Sequence, residues 1–215
     1  MKKTVLVLIT FALVIAVAGS GFWLVHYFID SREQRQTYEN LAEEFVLEST
    51  PSVRPESSSS LDSSVDAGEN DVSSPVESPD TPPRHDLAAL AAENSDCVGW
   101  LTIPDTGIDY PIMWTPDTPE HYLRRDFYGN SASGGTPFLD GRNLAEAENQ
   151  NLILYGHNMM DGSMFKPLIS YLEPSFQETH KEIYLELSEK QYRYELMTVL
   201  ETNTQMLPLS VHRPE

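Results

Sequence analysis

Asn151-Leu-Ile-Leu-Tyr-Gly-His157-Asn-Met-Met-Asp-Gly-Ser-Met-Phe165 is the stretch on which the reading of this chain turns. A short apolar run ends at Tyr155 and Gly156 breaks it. An imidazole and an amide follow, and Asp161-Gly162 supplies the residues of a tight turn. The pattern is that of a strand delivering a histidine to the rim of a sheet. Alone, a histidine after a strand is usually an ordinary loop residue, so the neighbouring segments have to decide.

Those segments read mostly as short strands. Val98 to Ile103 and Ile108 to Met113 are predicted strands around the turn Pro104-Asp-Thr-Gly107. Pro111 suggests an edge position or a bulge. Thr118-Pro119-Glu120 predicts a capped helix through Leu123. Thr136 to Asp140 and Asn151 to Tyr155 are further apolar strands. Ser163 to Leu172 and Pro174 to His180 read as helical. Glu182 to Leu187 and Gln191 to Leu200 read as a hairpin through Ser188-Glu189-Lys190. The expected class is mainly β with helical insertions, a barrel or sandwich.

Asp96-Cys-Val-Gly-Trp-Leu-Thr-Ile-Pro104, Ile108-Asp-Tyr-Pro-Ile112, Tyr122-Leu-Arg-Arg-Asp-Phe-Tyr-Gly129, Gly134-Gly-Thr-Pro-Phe-Leu-Asp-Gly-Arg-Asn143 and the histidine stretch occur in an order and spacing that resembles the class B sortases, cysteine transpeptidases of the bacterial surface. Glu173 to Tyr194 also resembles that family's helix followed by paired strands. The resemblance implies a sortase-like β-barrel. It also implies a reaction: a cysteine thiolate attacks a backbone carbonyl in the C-terminal sorting motif of a surface protein, and a peptidoglycan amine resolves the thioacyl intermediate. His157 matches the catalytic histidine of the family. Tyr155 and Asn158 flank it in the family manner, and Asn143 falls where members carry a site-lining asparagine. The resemblance places the nucleophilic cysteine and an oxyanion-stabilising arginine well after the histidine. The chain has one cysteine, Cys97, and no match to either element after His157. The barrel is therefore expected to be incomplete for want of its last strands, and residues 1–215 to be inactive as a transpeptidase. The alternative is a non-catalytic, membrane-anchored binding module that keeps the peptide groove.

Cys97 itself reads as a small buried residue, because an activated thiol needs a nearby cation or base. Asp140, Asp161 and His157 match no metal-ligand spacing, so neither metal nor cofactor is expected. Met159, Met160 and Met164 read as packing residues.

Composition sets the surroundings. Lys and Arg number 14 against 33 Asp and Glu, a net charge of −19, so no nucleic-acid partner is expected. Lys2 and Lys3 precede an apolar run through Ile29, long enough to cross a hydrocarbon core of about 30 Å. Residues 1–29 are expected to form a signal anchor in the cell membrane, with a cytoplasmic N-terminus and an extracellular domain. A cleaved signal peptide with Ala16-Val-Ala18 at the cleavage site is the rival. Residues 30–85 are expected to hold a short juxtamembrane helix (Tyr38, Leu41 and Phe45 share a helical spacing) and then an acidic Ser/Pro-rich stalk without periodicity. Folded character is expected over 86–215, where Asp86 can cap a helix.

Overall fold

The computed structural model describes residues 2–47, 82–143, 151–188 and 190–202. Nine regular elements follow one another among them: α1 (Lys2–Glu44), α2 (Leu87–Glu93), β1 (Cys97–Ile103), β2 (Ile108–Met113), β3 (Phe138–Leu139), β4 (Leu154–Tyr155), α3 (Pro174–Thr179), β5 (Glu182–Leu187) and β6 (Lys190–Glu195). The six strands form one sheet in the order β4-β3-β2-β1-β5-β6. All neighbours are antiparallel except β2 and β3. The expected mainly β class with helical insertions is the observed one.

β1 lies in the middle of the sheet and reads as a near-continuous apolar run because both of its faces are covered. Trp100, Leu101 and Ile103 are all buried. Gly99 is required where β1 meets β5: a Cβ there would lie 2.2 Å from the Glu186 carbonyl oxygen and 2.6 Å from a Leu187 methyl. Pro111 is tolerated inside β2 because β3 pairs with β2 only through Met113 and Phe138. The missing proline N–H therefore leaves no gap in the β1–β2 ladder, where Pro111 stands opposite Trp100.

Several boundaries differ from those expected. No helix opens at Thr118. His121 N donates to the Thr118 carbonyl at 2.9 Å, a bond spanning three residues where an α-helix spans four. The chain instead makes successive tight turns, and a single 3-10 turn spans His121–Arg124. Residues 166–172 are likewise 3-10 rather than α. β3 and β4 keep only two residues each. β6 stops at Glu195, and Met197 and Leu200 beyond it are exposed. The hairpin and the Asp86 cap form as expected: the Asp86 carboxylate accepts from Ala89 N at 2.9 Å.

α1 is one unbroken helix of 43 residues, about 65 Å long at 1.5 Å per residue. Its first part presents large apolar side chains to the outside, among them Phe11, Val14, Val17 and Phe22. It is the one helix among the described residues long and apolar enough to cross a membrane. Its second part does not stand apart as a juxtamembrane helix. Tyr38 and Leu41 are buried in the core, and the Tyr38 ring packs edge-on against Tyr110 at 5.3 Å. Burying two such side chains is worth about 1.5–3 kcal/mol each, which extends the folded unit well before residue 86. Just past α1, Val46 bridges to His85, Leu47 N donates to the Arg84 carbonyl and Asp86 N to that of Phe45. The acidic Ser/Pro-rich stalk expected within residues 30–85 falls largely on 48–81, which lie outside the described residues.

His85 closes the other face of β5. Its ring stacks on Trp100 at 4.0 Å, and Nδ1 lies 2.8 Å from a Glu186 carboxylate oxygen. The second oxygen accepts from His85 N at 2.9 Å, and both side chains are 2% exposed. Removing one member of a buried pair leaves the other desolvated and uncompensated. His85→Leu is therefore expected to cost about 3 kcal/mol or more in urea denaturation at neutral pH, whereas breaking the exposed pair Arg193–Glu182 is expected to leave the denaturation midpoint nearly unchanged.

Candidate active site

His157 leaves β4 two residues after its last member, Tyr155. Gly156 is glycine because the Phe165 ring fills the space a side chain would need: a Cβ would sit 2.5 Å from that ring. Phe165 returns the loop to the histidine, donating its N–H to the His157 carbonyl at 2.8 Å. Between them Asn158 bridges to Met164, and the Asp161 carboxylate accepts from Ser163 N at 3.2 Å and Ser163 Oγ at 2.7 Å. Met159 and Met164 are buried, so they pack, while Met160 is exposed.

The His157 ring is half-buried, and its Nδ1 lies 3.0 Å from the carbonyl oxygen of Gly134. A carbonyl oxygen can only accept, so Nδ1 carries a hydrogen. The neutral ring then holds its lone pair on Nε2, and the charged ring holds its second proton there. Proton exchange is confined to Nε2 without any change in the Nδ1 bond. That is the arrangement a general acid–base histidine needs.

The Gly134 carbonyl is itself fixed. Gly135 adopts φ +60°, and a Cβ there would meet the Leu123 and Tyr122 carbonyl oxygens at 2.4 and 2.5 Å. Thr136 N donates to the Tyr122 carbonyl, and the Thr136 hydroxyl donates to that of Arg125.

The other sequence-derived candidates separate. Tyr155 sits beside the histidine, but its hydroxyl is committed to Asp140, donating to Oδ2 at 2.8 Å. Asp140 also takes Arg142 Nε at 2.8 Å and a second guanidinium nitrogen at 2.7 Å. This fork, with the Arg142 N–H and the tyrosine hydroxyl, holds the Asp140 carboxyl well below the usual carboxylate range against its partial burial. Tyr155 therefore anchors the end of β4 to the loop after β3. Asn158 is exposed next to His157. Asn143 is buried with its amide spent on closing its own loop, Nδ2 donating to the Asn151 carbonyl at 2.6 Å and Oδ1 accepting from Ile153 N at 2.9 Å. Both ends of its amide are thus engaged by backbone groups of Asn151 and Ile153. Residues 144–150 lie outside the described residues.

Cys97 is remote. Cys97 pairs with Met113, Met113 with Phe138 and Phe138 with Tyr155, so one cross-strand row separates the thiol from the histidine strand by three strand spacings, about 14 Å along the sheet. Burial pushes the thiol up to about 12. The thiolate is thus scarce at neutral pH, and the hydrogen bond the thiol makes is to a carbonyl, that of Gly99 at 3.7 Å.

The Sortase domain family matches residues 101–215. A sortase B of Listeria monocytogenes is 41% identical over 132 residues, covering 61% of this chain and 53% of that protein. A sortase B of Staphylococcus aureus is 28% identical over 205 residues, covering 94% of this chain and 71% of that protein. The chain thus spans about half the length of the Listeria relative. Among solved structures, sortase B from Bacillus anthracis in complex with AAEK1 matches with TM-score 0.57 at 29% identity, over 82% of this chain and 74% of that one. The Listeria monocytogenes sortase B structure matches with TM-score 0.53 at 41% identity, over 60% of this chain and 73% of that one.

Two outcomes test the site's physics. The depressed Asp140 group contributes stability in full above its unfolded value of about 3.9 and loses it as the pH falls from there toward the lower folded value. Asp140→Asn is expected to flatten the acid limb of stability below about pH 4, read by denaturation at pH 7 and pH 3. Cys97 is expected to resist alkylation in the folded chain at pH 7.5 and to react once urea unfolds it, read by mass spectrometry. Family match, sheet order and the histidine's setting agree, and the chain belongs to the sortase family, on its class B branch.

Proposed function

We propose that this chain supplies the histidine side of a class B sortase active site, acting on the C-terminal sorting motif of a surface protein and passing it to a peptidoglycan amine. The observation that carries the reading is the single bond from His157 Nδ1 to the Gly134 carbonyl, which leaves Nε2 as the nitrogen that exchanges protons. In this reading His157 protonates the departing amine when the peptide bond breaks, and takes a proton from the incoming amine when the thioester is resolved. Asn158, exposed beside it, faces the peptide.

The nucleophile is not Cys97, on the distance and burial already given. Among the described residues β4 is an edge strand, paired only with β3. A strand laid along its free side would bring a cysteine within reach of His157, and the family's arginine would follow on the same side. Residues 1–215 alone are then expected to bind sorting peptides without turnover, the binding-module reading. The apolar half of α1 is the membrane anchor, with Met1 on the cytoplasmic side and the sheet outside.

The test joins the C-terminal segment of the Listeria relative to residue 202 and follows cleavage of a panel of quenched sorting-motif peptides. The joined protein is expected to cleave one of them, and His157→Ala to lower its rate by about 100-fold or more. The 215-residue chain is expected to bind that peptide without cleaving it. Cleavage by the 215-residue chain, or an unchanged rate in His157→Ala, would overturn the reading.

A further inference from the structure

The bond that orients His157 ends on the Gly134 carbonyl, and the turn that carries this carbonyl is bonded on either side of it by α1. Gln34 lies 8% exposed against the Gly134-Gly135 turn. Its Nε2 donates to the Gly135 carbonyl at 2.8 Å, and its Oε1 accepts from Gly134 N at 3.3 Å. Tyr38, one helical turn further, donates its hydroxyl to the same Gly135 carbonyl at 2.9 Å and lies 2.9 Å from the Thr136 hydroxyl. Gly134 lies close against the helix, since a Cβ there would sit 2.9 Å from Gln34 Oε1. One turn toward the N-terminus, Asp30 accepts from the Ser133 hydroxyl and Ser31 bonds the Asp161 carboxylate. α1 therefore grips both segments that define the histidine: the turn bearing its hydrogen-bond partner and the loop that follows it.

We propose that Gln34 and Tyr38 are positioning residues for His157: by fixing the Gly134-Gly135 turn they hold the Gly134 carbonyl on Nδ1 and so keep the reactive lone pair on Nε2. The inference rests on the reading of His157 given above. Neither side chain touches the imidazole. Each acts through the backbone it holds. Two amide bonds and a phenol bond converge on one turn because the Gly135 carbonyl and the Gly134 N–H face the buried side of the helix, where water cannot replace a lost partner. The same uninterrupted helix carries the apolar run, so the anchor and the histidine's orientation share one rigid element.

The test reads the tautomer of His157, not activity, so it does not depend on a nucleophile. Full-length chain in lipid nanodiscs, labelled with nitrogen-15 at histidine, gives long-range proton–nitrogen spectra that separate the Nδ1–H and Nε2–H forms. The His157 signal is the one lost in His157→Gln. The wild-type chain is expected in the Nδ1–H form. Gln34→Ala and the milder Tyr38→Phe are each expected to lower the Nδ1–H to Nε2–H ratio by roughly fivefold, the equilibrium weight of about one hydrogen bond. Leu41→Ala, which removes core packing from the same helix, is expected to lower thermal stability and leave the ratio unchanged. An unchanged ratio in both Gln34→Ala and Tyr38→Phe, or an equal fall in Leu41→Ala, would overturn the positioning role and leave the proposed function standing. A wild-type histidine already in the Nε2–H form would overturn the role together with the site geometry beneath it.

Discussion

The carbonyl of Gly134 is the point on which the site depends. It is a backbone group, so no side chain of its own can aim it. Its direction is set by the positive φ of Gly135, by the crowding of Gly135 against the carbonyls of Tyr122 and Leu123, and by the helix above. Three consecutive requirements follow. Residue 135 must be glycine, because only glycine accepts both the left-handed conformation and the missing space. Residue 134 must be small, because Gln34 is against it. The histidine must approach from the loop after β4, because that is the strand on which Phe138 and Leu139 place their partners.

Much of this was legible in the sequence, for a physical reason that can be traced residue by residue. β1, β2 and β5 are the strands whose length and apolar content exceed anything a loop would carry, and they appear where expected. Gly156 and Asp161-Gly162 announce a break and a turn because glycine and aspartate do specific backbone work there. What was not legible is the part contributed by α1. Ser31, Gln34, Tyr38 and Leu41 lie on one helical stripe, but only its lower half is apolar, so a search for hydrophobic period sees Tyr38, Leu41 and Phe45 and stops. Gln34 looks like a solvated residue until a buried turn with free carbonyls is placed opposite it. Asn143 was legible only by its position: the two backbone bonds of its amide, to Asn151 and Ile153, depend on how the chain returns to it.

The Asp140–Arg142–Tyr155 cluster shows a related division between chemistry and support. A carboxylate, a guanidinium and a phenol so close together resemble an active centre in composition. Their geometry says otherwise, because the fork of Arg142 takes both carboxylate oxygens and Tyr155 donates to one of them. A carboxylate held this firmly in its charged form neither gives nor takes protons near neutrality. Its effect is mechanical: it ties the end of β4 to the loop after β3, one residue short of the glycine that releases the histidine.

A similar argument separates the two groups a cysteine enzyme would be expected to pair. Nucleophile and base must come within hydrogen-bond reach, or close to it. A sheet fixes side-chain rows about 4.8 Å apart, so residues on strands three places apart cannot meet unless the sheet closes on itself. Cys97 and His157 stand in that relation here, and β1 is locked in place by β2 on one side and β5 on the other. No movement of a side chain brings the thiol to the imidazole, and unzipping β1 would dismantle the core that Trp100 and Ile103 fill. The histidine strand, by contrast, has one side unpaired among the described residues. On the proposed reading, the open side of β4 is where a partner for His157 fits, because the side toward β3 is already paired.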